Sequence, residues 1–163
     1  MNIHFSTFQQ LITNPIKYKL FMLTKLPMGF LSGLKMVELN EQSARVSVRF
    51  KWLNQNPFRS IYFAVLSMAA ELSTGVLAFG NIYNRKPAVS MLVSKVEGEF
   101  FKKAIGKIIF TCNDGIIIAN AIEQSIQTGE GVVVVCTTTG VNEQGEVVAS
   151  FKFTWSFKSK VAQ

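Results

Sequence analysis

From Ala44 to Trp52 apolar and polar positions alternate without a break: Ala44, Val46, Val48, Phe50 and Trp52 are separated by Arg45, Ser47, Arg49 and Lys51. A two-residue period is that of a β-strand with one buried face. The preceding "LKMVEL" predicts a hairpin partner, turning at Asn40 to Gln42. The same period returns near the C-terminus, where Val147, Ala149, Phe151, Phe153, Trp155 and Phe157 share one face and Val148, Ser150, Lys152, Thr154, Ser156 and Lys158 the other. "AVSMLVSKVEGEF", "KIIFTCN" and "GVVVVCTTTGV" supply three more strands, the last joined to the final one by an Asn-Glu-Gln-Gly turn. About six strands are expected.

The first thirty residues predict two short helices, the second entered through Pro15 and closed near Pro27 and Gly29. Asp114 is expected to cap a helix through "GIIIANAIEQSIQT" that stops at Gly129. The principal helix lies between Ser60 and Tyr83 and is apolar almost all round, so it must be wrapped on several sides. A curved antiparallel sheet around one long helix, an α+β architecture, satisfies both patterns.

Glu71 interrupts that helix as a lone carboxylate, and an unpaired buried carboxylate is costly enough to take up a proton or find a partner. At helical spacing it shares a face with Ala64, Ser67, Met68, Thr74, Gly75 and Ala78, while Val65, Ala69, Leu72, Val76 and Phe79 lie opposite. The bulky face is expected on the sheet, leaving room for a ligand or a second chain at the acid. The alternative is an ion pair of Glu71 with Arg45, Arg49 or Arg59, or a polar contact across a dimer interface, with no chemistry.

At 163 residues, 48% of them hydrophobic, the chain fits one ordered unit. Its net charge of +7 favours an anionic partner, but the cations are scattered and no nucleic-acid-binding motif accompanies them. Ser60 to Tyr83 is long enough to span a bilayer; its polar interruptions argue for a core helix and no integral membrane segment. A peripheral anchor formed by the N-terminal helices and the positive charge is the remaining membrane reading. Cys112 and Cys136 lack metal or disulfide spacing, and the N-terminus lacks the order of a secretory signal, so a cytoplasmic protein is expected. His4 is the only histidine, which excludes most catalytic triads and ordinary histidine metal sites; no metal is expected.

The order of strands and helix resembles the hotdog-fold superfamily, and within it the acyl-CoA thioesterases of the phenylacetate-pathway type. In those enzymes an asparagine precedes the helix, a His-Gly-Gly begins six residues later, and an Asp or Glu follows nine residues after that histidine. Asn56, Tyr62 and Glu71 stand at these spacings, with Phe63 and Ala64 in place of the two glycines. "YFAVLSMAAELSTG", the helix after Asp114 and the ending "FKFTWSFK" are similar to a bacterial branch of the superfamily that carries a domain of unknown function. The resemblance covers Leu31 to the C-terminus and divides the chain into a helical extension, 1–30, and a hotdog domain, 31–163.

The resemblance implies an acyl-CoA thioesterase acting as a homodimer, with a tetramer as the larger alternative, on coenzyme A thioesters and without further cofactor. Glu71 would be general base or nucleophile, Asn56 and Tyr62 would complete the catalytic group, and the amides of Phe63 and Ala64 would polarise the thioester carbonyl. Ser67, Thr74 and Ser90 are further substrate-binding candidates, Ser90 from the neighbouring subunit. Arg59, Arg85, Lys86, Lys102 and Lys103 could meet the coenzyme phosphates. The bulk of Tyr62 and Phe63 leaves a second reading: a non-catalytic hotdog module that binds an acyl or acyl-CoA ligand.

Overall fold

The computed structural model describes residues 2–160. Three helices come first: α1 (Phe5–Thr13), α2 (Pro15–Lys25) and α3 (Pro27–Ser32). Asn14 separates the first two, its side-chain oxygen accepting from the amides of Ile16 and Lys17 while Pro15 occupies the first turn. A third helix, where two were expected, follows from Pro27, which opens a new helix where the sequence suggested a stop. Having no N–H to satisfy, proline suits a first turn. Gly33, at φ 79°, then ends α3 in the left-handed conformation.

The expected six strands are β1 (Lys35–Leu39), β2 (Ala44–Arg49), β3 (Val89–Phe100), β4 (Lys107–Cys112), β5 (Gly131–Val141) and β6 (Val147–Ser159). They form one antiparallel sheet in the order β1-β2-β4-β5-β6-β3. In β6, Phe151, Phe153, Trp155 and Phe157 are buried and Lys152 and Lys158 exposed. The start of this strand departs from strict alternation. An irregularity opposite Val141 shifts the register, so Val148 is buried and Val147 faces out.

The central helix α4 (Phe63–Ile82) packs on β2, β4, β5 and β6, and α5 (Gly115–Thr128) lies beside it. By length and composition α4 could cross a membrane, yet 67% of its most apolar window is buried inside this structure. Asp114 stands just before α5 but does not cap it; its carboxylate accepts from the Thr137 amide at 2.7 Å and ties the helix start to β5. The N-terminal helices join the same core through Phe5, Phe8, Ile12, Tyr18 and Met22. The Asn2 side-chain amide clamps them to the end of α4, donating to the carbonyls of Gly80 at 3.0 Å and Tyr83 at 2.7 Å.

The two faces of α4 meet different neighbours from those expected. Part of the small face receives the sheet: the Trp155 indole N–H donates to Thr74 Oγ1 at 3.0 Å, and the ring edge lies over Gly75, while Met68 and Glu71 look toward the N-terminal helices. Of the large residues, Leu72, Val76 and Phe79 face the N-terminal helices instead, with the Phe79 ring 5.2 Å from Phe8 and 6.4 Å from Phe21. The physical reason is volume. A wall of rings on β6 leaves no room for a second layer of large side chains, so small ones must meet it.

Candidate functional site

Glu71 lies midway along α4, where that helix passes beneath α2 and the α2–α3 junction. Two adjoining cavities open beside its carboxylate. One, of about 300 Å³, is lined by Phe8, Phe21, Val76, Phe79 and Met91; the other, of about 260 Å³, by Met22, Met28, Leu34 and Met68. Lys25, Leu26, Glu71 and Leu72 line both. The walls are almost wholly apolar, a setting suited to an acyl chain.

Among the described residues nothing donates a hydrogen bond to the Glu71 carboxylate, and no cation pairs with it. None of the arginines that might have neutralised it does so: Arg45 lies 3.6 Å from Glu38, Arg49 lies 3.1 Å from Glu143, and Arg59 is exposed and forms no ion pair among the described residues. Burial without compensation raises the Glu71 pKa from 4.5 to about 7. A carboxyl poised there can hold or release a proton near neutral pH, which is what a general base requires. Gly75, one turn along, makes the space: a Cβ at that position would fall 2.8 Å from Glu71 Oε1.

The other candidates lie elsewhere, and none lines these two cavities. The Asn56 side chain is occupied within its own loop, accepting from the amides of Phe58 and Ser60 and donating to Ser60 Oγ at 3.0 Å. Tyr62 and Phe63 are exposed at the start of α4, ring against ring at 4.8 Å. The amides of Phe63 and Ala64 make no hydrogen bond among the described residues, as expected of a helix start. Ser67 is half-buried one turn before Glu71, and Thr74 is buried against Trp155. Ser90 is exposed on β3, its hydroxyl donating to the Lys158 carbonyl.

Of the cations considered for phosphates, Arg85 is paired with Glu123 at 2.5 Å and Lys102 with Glu146, while Arg59, Lys86 and Lys103 are exposed. Cys112 and Cys136 are free, buried thiols whose pKa values burial pushes up, to about 12 for Cys112, so neither is a ready nucleophile. No group of three or more metal-ligating side chains occurs among the described residues. The residues sequence reasoning missed are the roof of the site: Phe8, Phe21, Lys25 and Leu26. The only signal for them was the inward apolar face of the first two helices.

Comparison with solved structures yields the same architecture. A Pseudomonas aeruginosa protein described as a probable thioesterase superposes with a TM-score of 0.75 at 22% identity, over 90% of this chain and 97% of that one. A Haemophilus influenzae thioesterase gives 0.62 at 11% identity, over 100% and 96%. The Escherichia coli PaaI protein from the phenylacetic acid degradation operon gives 0.62 at 14%, over 86% and 88%. No curated protein matches the sequence. At these identities the likeness establishes the fold, an α+β hotdog. A model of one family, the domain of unknown function DUF4442, matches residues 18–157. The chain therefore belongs to the DUF4442 family, on a hotdog fold that it shares with these structures.

Proposed function

We propose that the protein hydrolyses an acyl thioester, of the acyl-CoA class, with Glu71 as general base. The observation that carries this reading is an uncompensated carboxyl, its pKa near neutrality, between two apolar cavities. The thioesterases among its structural relatives support it. In the reaction the Glu71 carboxylate takes a proton from water, and the oxygen adds to the thioester carbonyl carbon. The tetrahedral intermediate collapses with cleavage of the C–S bond, and Glu71 returns its proton to the departing thiolate. The products are a carboxylic acid and a thiol; no cofactor is consumed.

The oxyanion formed in that intermediate needs donors, and the free amides of Phe63 and Ala64 are suited to the task. They lie seven to eight residues from Glu71 on the same helix, about 11–12 Å along its axis. One carbonyl cannot touch both within a protomer, so this reading requires a homodimer in which the helix start of one copy faces the carboxyl of the other. The long edge strand β3, exposed over most of its length, offers an edge for such pairing. Two free cysteines fit a reducing, cytoplasmic setting.

A panel of acyl-CoA esters assayed with wild type and Glu71→Ala tests the proposal. Loss of the base should lower kcat by about 10²–10⁴-fold. Equal background rates for both proteins would remove hydrolysis. Acyl-CoA binding without turnover would favour the non-catalytic reading, for which the crowding of Tyr62 and Phe63 at the helix start speaks.

A further inference from the structure

The underside of α2 roofs the site, but its outer side is exposed, with no partner among the described residues. Ile16 is 80% exposed, Leu20 62% and Leu23 53%. At about 100° per residue these three fall within an arc of about 60° on the helix, opposite the buried Tyr18 and Met22. Lys17 and Lys19, both exposed, flank that arc on its two sides. On α3, Met28, at the mouth of the second cavity, and Leu31 are also exposed. An apolar stripe between lysines is how a helix lies in a lipid interface, its carbons among the acyl chains and its ammonium groups at the phosphates.

The charge beside this stripe is of one sign. No acidic residue occurs before Glu38, whereas Lys17, Lys19, Lys25 and Lys35 all do. On the Lys19 side a groove of about 400 Å³ runs past Phe30 to Lys35 and Lys51. It continues into a second hollow of about 260 Å³ that shares Lys35 and Lys51 and adds Ser47, Arg49 and Lys107. Among the described residues no carboxylate lines either. Of these cations only Arg49 has an ion-pair partner among the described residues, Glu143 at 3.1 Å. A second copy of the chain suits this face poorly, because a two-fold contact would set lysines against lysines.

We infer that the outer face of α2 and α3, with the Lys19–Lys35–Lys51 groove beside it, docks the protein on an anionic phospholipid surface. The apolar stripe enters the interface and the groove takes lipid phosphates. This inference does not rest on Glu71 or on hydrolysis and can be tested apart from either.

The test is co-sedimentation of the full chain with vesicles of phosphatidylcholine alone, or with about one third phosphatidylglycerol, at about 20 mM and about 0.5 M salt. Wild type should pellet with the anionic vesicles at low salt and be released at high salt. It should stay in solution with phosphatidylcholine. Each lysine near the surface contributes about fivefold, so Lys19→Gln/Lys35→Gln/Lys51→Gln should lower the partition coefficient about a hundredfold. Ile16→Ser/Leu20→Ser should lower it about tenfold or more with all charges kept. Both variants alter exposed side chains, and thermal melts confirm their fold. Wild type that ignores anionic vesicles at low salt overturns the inference, as does either folded variant partitioning like wild type.

Discussion

Glu71 couples protonation to stability as well as to the proposed chemistry. Its pKa is 4.5 when solvated and about 7 in the fold, so the folded state holds the proton more tightly than the unfolded chain. The native state is accordingly favoured below about pH 4.5, loses about 3 kcal/mol as the pH climbs from there to about 7, and stays at that level above. Glu71→Gln keeps the shape and removes the charge. It should raise Tm by roughly 5–10 °C at pH 8 and leave it nearly unchanged at pH 4. Calorimetry at the two pH values checks this, and a constant offset at both would show that burial does not act on Glu71. Activity should run the other way, rising as the base deprotonates through about pH 7. Gly75→Ala probes the same spot by volume. Its methyl would meet Glu71 Oε1 at 2.8 Å and the Trp155 ring at 3.3 Å. The carboxylate is the more mobile neighbour and should move, so kcat should drop by at least tenfold while stability falls by about 1–2 kcal/mol.

Between elements, pairs of large and small residues set the packing. Gly140 on β5 stands directly opposite Phe110 on β4, whose ring crosses over it; a Cβ there would come within 2.5 Å of the ring. Gly140→Ala should therefore cost about 1–3 kcal/mol, read as a lower urea midpoint. Thr74 and Trp155 join α4 to β6 through one buried hydrogen bond. Thr74→Val strands the indole N–H at a cost of about 1–3 kcal/mol, and adding Trp155→Phe should recover part of it; strict additivity of the two would contradict the bond. Such pairings explain which features could be read from the amino acids alone. Alternation identified the strands because each sheet face has one kind of surroundings. On α4, buried nearly all round, periodicity could separate a small face from a large one but not say which neighbour covered each. The lone charge in an apolar run picked out the acid, and the spacing that the family resemblance supplied added Asn56 and Tyr62 to it. That spacing could not reveal that Asn56 spends its side chain on its own loop.

Across the whole molecule the N-terminal helices are structure as much as surface, although the family resemblance read from the sequence began only at Leu31. Phe5, Phe8, Ile12, Tyr18 and Met22 are all at least nine-tenths buried, against α4 and the strands beside it. Burial of a large apolar side chain contributes about 1.5–3 kcal/mol, and a domain has only about 5–15 kcal/mol in total. Removing residues 1–33 would strip these five from the core. It would also open both cavities at Glu71, which Phe8, Phe21, Met22, Lys25 and Leu26 close. The truncated chain, 34–163, should lose cooperative melting and near-ultraviolet circular dichroism and bind a hydrophobic dye, while keeping far-ultraviolet strand signal. The two sides of α2 separate this structural contribution from docking. Met22→Ala on the inner side should cost about 2–5 kcal/mol, whereas Leu20→Ser on the outer side should stay within about 0.5 kcal/mol. Equal costs on the two sides would mean that α2 is not held as described, and a cooperative, dye-negative 34–163 fragment would mean that the sheet and α4 suffice to form the core.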